Sequence, residues 1–206
     1  QLYEEIIEEG FHSEYLYYNL GNSYYRSGMV GQSNWAYNKA ISLNPRLENV
    51  KYNLEIVSSK IIDRVILPPE FFLVNIYINF KSFFSYNEWL IIGSILFLLT
   101  VCFFVINKLF IFNNHIIKKI NFISILITFI LHLIILDVFL EKNEKKFGII
   151  VFDNVNAYSG PFYGDNTILF TLNEGTKAQV SQDQGDWFEI VLFNGGKAWI
   201  PKEKVR

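Results

Sequence analysis

Trp89-Leu-Ile-Ile-Gly-Ser-Ile-Leu-Phe-Leu-Leu-Thr-Val-Cys-Phe-Phe-Val-Ile106 contains no charged side chain, and the next one along is Lys108. A second run, Ile120 to Leu136, is also uncharged, with His132 its one titratable group. The hydrocarbon core of a bilayer is crossed by roughly 20 apolar residues in a helix. Backbone in lipid has to satisfy its own hydrogen bonds, which a helix does. The two runs therefore predict a transmembrane hairpin over 89–140, with helices over about 89–107 and 120–140. A polar segment flanks it on each side.

The remainder of the 206 residues fits that plan. The chain is 51% hydrophobic with a net charge of −2, and the apolar excess is concentrated in the hairpin. Neither end is strongly basic, so no nucleic acid is expected as a partner. The single cysteine, Cys102, lies inside the first apolar run, which excludes an internal disulfide and a cysteine-based zinc site. The chain opens at Gln1 without a basic, apolar leader, so a removed or omitted upstream piece, such as a signal peptide, is expected.

Lys108, His115, Lys118 and Lys119 lie between the apolar runs with no acidic residue among them. The positive-inside tendency puts that loop in the cytoplasm and both termini outside, in the periplasm of a two-membrane bacterium. Lys142, Lys145 and Lys146 beyond the second run pull the other way. Segment 65–88 is expected to be an interfacial linker. Leu67 to Phe80 is too short to span; it suits the membrane surface, or a linker helix packed on protein. Pro68 and Pro69 are expected to end the preceding helix.

Residues 1–64 contain Glu14-Tyr-Leu-Tyr-Tyr-Asn-Leu-Gly-Asn-Ser-Tyr-Tyr-Arg-Ser-Gly28, continuing to Pro45. Tyr17, Leu20, Gly21, Tyr24, Ser33, Tyr37, Ala40 and Pro45 fall at the spacing of two close-packed helices. Gly21 and Ser33 permit the approach, Gly28 and Gly31 flank the turn, and the tyrosines fill the seam. This pattern resembles a tetratricopeptide repeat, with Ser33 in place of the usual alanine and polar Asn34 in the second helix. Residues 2–10 and 48–62 look like half-repeats on either side, since one repeat alone cannot bury its faces. The resemblance implies a protein-binding groove presenting Tyr15, Tyr18, Asn22, Tyr25, Arg26, Tyr52 and Asn53. Asn22 and Asn53 stand where some relatives hold a partner's terminal carboxylate, although Tyr18 replaces their lysine. The alternative is that the tyrosines pack against neighbouring helices.

From Phe147 the pattern changes to short strand-like runs separated by turn residues. The runs are 147–152, 167–172, 177–180, 187–192 and 197–200, with 154–161 leading into a loop. Such spacing predicts a small β barrel over 147–206. Asn156-Ala-Tyr-Ser-Gly-Pro161, Leu172-Asn-Glu-Gly-Thr176, Gly185-Asp-Trp-Phe-Glu-Ile-Val191 and Gly196-Lys-Ala-Trp-Ile-Pro201 resemble a bacterial SH3 domain. That resemblance implies a ligand site at Tyr158, Tyr163, Trp187 and Trp199, with core placement the preferred reading for Trp199.

No nucleophile, phosphate-loop or metal-ligand pattern appears, so no enzyme activity, cofactor or metal is expected. His132 is read either as functional or, preferably, as hydrogen-bonded to the neighbouring helix. The fold class is thus a multi-domain membrane protein: an all-α repeat, a two-helix hairpin and an all-β SH3-like barrel. That order resembles the BatE family of the Bat (aerotolerance) operons, most specifically at Tyr17-Tyr-Asn-Leu-Gly-Asn-Ser-Tyr-Tyr25 and Phe170-Thr-Leu-Asn-Glu-Gly-Thr176. The family implies a non-enzymatic membrane scaffold whose partners are Bat membrane proteins with von Willebrand factor A domains. A MoxR-type AAA+ ATPase would act indirectly, and the lipid bilayer is the anchor. The alternative is a cell-envelope anchor or sensor whose SH3-like domain binds peptidoglycan.

Overall fold

The computed structural model describes residues 2–63, 71–109, 115–144 and 147–206. The chain divides into two compact units. One joins Gln1–Phe72 to Lys145–Arg206, so segments from both sides of the apolar runs pack into a single body; the other is Leu73–Glu144.

The first unit begins with four helices: α1 (Leu2–Glu8), α2 (Glu14–Arg26), α3 (Val30–Leu43) and α4 (Glu48–Lys60). Ser13 caps α2, its hydroxyl accepting from the Leu16 amide. Gly28, at φ +77°, supplies the left-handed residue that turns α2 back into α3. The two helices pack closely because Gly21 lacks a side chain. A Cβ there would lie 2.5 Å from the Tyr37 ring. Ser33 donates to the Gly21 carbonyl across the same seam at 2.9 Å. Tyr17, Tyr37, Ala40, Val50 and Val57 form the core shared by α2, α3 and α4. The helix ends at Lys60, well before Pro68 and Pro69. Those prolines, expected to stop it, lie outside the described residues.

The same unit contains one antiparallel six-stranded sheet: β1 (Phe147–Ile149), β2 (Val155–Tyr158), β3 (Ile168–Leu172), β4 (Lys177–Gln184), β5 (Trp187–Val191) and β6 (Lys197–Pro201). The order β1-β4-β5-β6-β2-β3 is that of an open sheet, where a barrel was expected. The β1 edge is covered by the end of the chain: Ile149 and Arg206 exchange two backbone bonds, and Val151 donates to Lys204. Within 154–161, the run expected to lead into a loop, residues 155–158 form the strand between β6 and β3. Alternate side chains point inward. Ile150, Val155, Ala157, Leu172, Ala178, Ile190, Ala198 and Ile200 make one apolar core.

The second unit holds α5 (Phe72–Lys81) from its second residue on, α6 (Tyr86–Leu109) and α7 (His115–Glu144). Windows within α6 and α7 reach mean hydropathies of 2.8 and 2.6, yet only 17% and 11% of them is buried. A core helix of a water-soluble protein would be mostly covered. These two are long and apolar enough to span a membrane, and their apolar side chains face outward. They meet where Gly93 leaves room for Ile135; a Cβ at Gly93 would lie 2.4 Å from Ile135 Cδ1. Thr100 joins Ser124 at 2.9 Å and Thr128 at 2.8 Å through hydroxyl hydrogen bonds. The two helices are longer than expected. Lys108 lies in the last turn of α6, and His115, Lys118 and Lys119 in the first turns of α7, so these basic groups belong to helix ends.

Residues 71–80 of α5 and its approach are all exposed, with no charged side chain among them. The end of α5 is nonetheless fixed. Trp89 is buried against Phe80 and Phe84, and its Nε1 donates to the Lys81 carbonyl at 3.0 Å. Lys81 reaches Asp137 at 2.9 Å and Glu141 at 2.6 Å, and the Tyr77 hydroxyl donates to Asp137. Burial pulls the Lys81 pKa down, but hydrogen bonds to Glu141 and Asp137 outweigh it and leave the ammonium above its ordinary value.

Candidate functional site

The expected groove residues fall into two groups. Tyr15 and Tyr52, 61% and 65% exposed, stand on the surface, and Arg26 is also exposed. Tyr18, Asn22, Tyr25 and Asn53 are half-buried. Asn22 and Asn53 are brought together, but they spend part of their hydrogen-bonding capacity on each other. The Asn22 Oδ1 accepts from the Tyr37 hydroxyl at 2.7 Å and from Asn53 Nδ2 at 3.0 Å. Burial raises the Tyr37 pKa, keeping that phenol a donor. Asn22 Nδ2 and Asn53 Oδ1 have no partner among the described residues. Asn22 and Asn53 border a cleft of about 70 Å³ with Tyr25, Arg26, Tyr37 and Ile56. One donor, one acceptor and a guanidinium suit an amide or carboxylate end of a side chain. The Tyr18 ring packs 6.2 Å from Tyr37, and Tyr25 lies under the Lys60 ammonium at 4.5 Å.

A second cluster forms on the sheet. Tyr158, Tyr163 and Trp187 pack together, with ring centroids 4.7–5.6 Å apart. Tyr163 is 69% exposed, while Tyr158 is buried beneath it. Trp199 pairs directly with Tyr158 across β2 and β6. Ala198 and Ile200 on either side of it enter the core, so Trp199, half-buried, is on the opposite face. Core placement of Trp199 is therefore corrected: strand alternation puts it beside the aromatic cluster.

Polar contacts join the helical segment to the 173–176 turn between β3 and β4. Asp63 accepts from the Asn173 amide at 2.7 Å, from Asn173 Nδ2 at 3.2 Å and from the Thr176 hydroxyl at 3.1 Å. The Glu174 carboxylate accepts from the Gly31 amide in the first turn of α3 at 2.7 Å, where the helix dipole favours an anion. Buried Asn34 donates to the Gly175 carbonyl at 3.0 Å and accepts from Asn38. Gly31 has a different role from the one expected. A Cβ there would lie 2.7 Å from the Ile150 carbonyl oxygen, so the sheet rather than the turn requires glycine. Two clefts flank Asp63. One, about 300 Å³, includes Asn34, Asn38, Ser58 and Thr176; the other, about 600 Å³, includes Ile62, Phe170, Leu172 and Leu192.

A second tie lies between the chain's two ends. Arg206 donates to the Tyr24 hydroxyl at 2.9 Å and to Glu4 at 3.1 Å, and its guanidinium stacks on Trp35. Tyr24 donates to Glu4 at 2.5 Å. That hydrogen bond, with Arg206 alongside, holds the Glu4 carboxyl below its ordinary pKa despite partial burial. Burial first, then the Glu4 hydrogen bond, pushes Tyr24 up to about 12. Sequence reading missed Asp63, Glu174 and Arg206. Its one clue was Asn34, a polar residue where the helical seam calls for an apolar one.

His132 also departs from expectation. Its Nδ1 approaches the Thr128 carbonyl oxygen of its own helix at 2.7 Å, rather than bonding α6. Comparison of the chain with family models, with curated proteins and with solved structures finds no match.

Proposed function

We propose that this chain is a non-enzymatic, membrane-anchored adaptor that holds protein partners on one side of a bilayer. The observation that carries the reading is the single body formed by residues before and after the apolar helices. Two crossings return a chain to the side it left, as that packing needs. The helical part is read as a tetratricopeptide-type repeat and the sheet as a bacterial SH3-type domain. The basic helix ends at Lys108, His115, Lys118 and Lys119 favour a cytoplasmic connection and a periplasmic body. The exposed apolar α5 suits the lipid interface. On the BatE-like reading, the partners are membrane proteins with von Willebrand factor A domains, with a MoxR-type ATPase acting indirectly.

The test is co-purification from detergent with Tyr15, Arg26 and Tyr52 replaced by alanine. These three are exposed, so the fold should survive where changes at Asn22 would disturb the Tyr37 network. Partner recovery should fall; unchanged recovery counts against the groove. A second reading rests on the Tyr158–Tyr163–Trp187 cluster, whose exposed aromatic surface suits peptidoglycan. Retention of the full chain on purified cell wall, lost in Tyr163→Ala, would favour it. The full chain is the reagent because Gly31, Asn34 and Asp63 contact the sheet.

A further inference from the structure

The α6–α7 pair carries an unfinished polar site on its exposed side. A carbonyl oxygen only accepts, so the Nδ1 of His132 carries the hydrogen in its 2.7 Å contact with Thr128. In the neutral ring Nε2 then presents a lone pair. It has no donor among the described residues, and the side chain is exposed. Hydrocarbon supplies no donor either. A cleft of about 460 Å³ adjoins the ring, bordered by Phe97, Val101, Phe104, Ile125 and Phe129. The nearby hydroxyls of Thr100, Ser124 and Thr128 bond one another.

Ser94 is placed differently. It follows Gly93, whose Cβ position would be 3.9 Å from His132 Cε1, so Ser94 and His132 share a depth along the helices. Ser94, Phe97, Val101 and Phe104 succeed one another at intervals of three and four residues, which puts them on one stripe of α6. The Ser94 side chain is exposed, and its hydroxyl donates only to the Leu90 carbonyl of its own helix, at 2.8 Å. That carbonyl also belongs to the helical ladder, so releasing the hydroxyl leaves it bonded.

We propose that this face joins two copies of the chain within the membrane, the Ser94 hydroxyl of each donating to the His132 Nε2 of the other. The inference rests on the reading of α6 and α7 as membrane spans. Copies inserted in the same sense keep every residue at its own depth. A two-fold axis along the membrane normal then makes the contact twice, with one surface patch serving both sides. Phe97 and Phe129 of each copy fill the cleft of the other. A copy is the occupant favoured here because it alone brings a donor of known depth and face; a lipid chain fills the cleft but leaves the nitrogen unpaired.

The test uses the full chain with Cys102→Ser, purified into liposomes. Retention after an alkaline wash first checks the spans. Dimer content is then measured by single-molecule photobleaching over a range of protein-to-lipid ratios. His132→Ala and Ser94→Ala should each weaken the dimer about tenfold, since each removes both symmetric bonds and one is worth roughly threefold. The double variant should be no weaker than either single one. Leu99→Ala, on the opposite stripe, should have no effect. Mixed Ser94→Cys and His132→Cys copies should form a disulfide faster than either alone. A retained protein that stays monomeric, or a dimer indifferent to both alanines, overturns the proposal. Loss of the protein in the wash overturns the membrane reading beneath it.

Discussion

Asp63 is the residue on which the joint between helices and sheet should depend most. Asp63→Ala removes the acceptor of the Asn173 amide, a contact of 2.7 Å between half-buried groups. A hydrogen bond to an ionised acceptor contributes roughly 1.5–3 kcal/mol, and partial exposure favours the lower end. The Asn173 Nδ2 contacts, at 3.2 Å, add roughly 0.5–1 kcal/mol. Thr176 adds little, because its hydroxyl also serves the Asn173 carbonyl at 2.8 Å. The loss is then about 2–3 kcal/mol. In hydrogen-exchange mass spectrometry this accelerates opening of the 173–176 turn roughly thirty- to 150-fold. Asp63→Asn keeps one oxygen for the amide and should lose about half as much. Protection in α6 should not change. Exchange at 173–176 in Asp63→Ala within threefold of the parent would refute the reasoning, since a contact so easily removed could not hold the two segments together.

Gly31→Ala places a Cβ 2.7 Å from the Ile150 carbonyl oxygen and 3.0 Å from the Gly175 amide, both backbone atoms. A cost of about 1–3 kcal/mol is expected, read as faster proteolysis between the segments. Glu4 has a lowered folded pKa, so its contribution is full above the unfolded carboxylate value of about 4.3 and fades as pH falls through the folded value. Denaturant midpoints should be flat from neutral pH to about 5 and drop below that, and Glu4→Gln should flatten the acid limb. Tyr24 is raised, so the opposite sign holds: stability present below about pH 10 is lost on the way to pH 12, and the tyrosinate difference spectrum against Tyr24→Phe should titrate near the upper limit. Thr100→Val breaks both interhelical hydroxyl bonds at similar shape. About 1 kcal/mol of hairpin stability should go, measured by steric trapping in bicelles.

The candidate surfaces were legible in the sequence only in part. Tyr15 and Tyr52 stand on the surface, because helical periodicity fixes which stripe a residue occupies. The same periodicity says nothing about what Asn22 and Asn53 bond. Both amides could face a ligand or each other, and Tyr37 decided it by offering its hydroxyl to Asn22. Trp199 was misassigned by residue type. Its large apolar surface suggests the core, yet small Ala198 and branched Ile200 take the inward positions and alternation turns it out. His132 was expected to bridge helices, but Thr128 one turn earlier supplied a nearer acceptor.

What the sequence determined by itself was local: two apolar runs long enough to span, a close-packed helical pair around Gly21 and Ser33, and a succession of short strands. Each follows from the hydropathy or spacing of residues near one another in the chain. What only the tertiary structure decided was how the ends meet. Asp63 and Asn173, or Glu4 and Arg206, are polar pairs with no periodic signature. They become partners because the apolar helices between them return the chain to its own earlier segment. The gain from those contacts appears only once the long loop is closed, so no window of sequence shorter than that loop could show them.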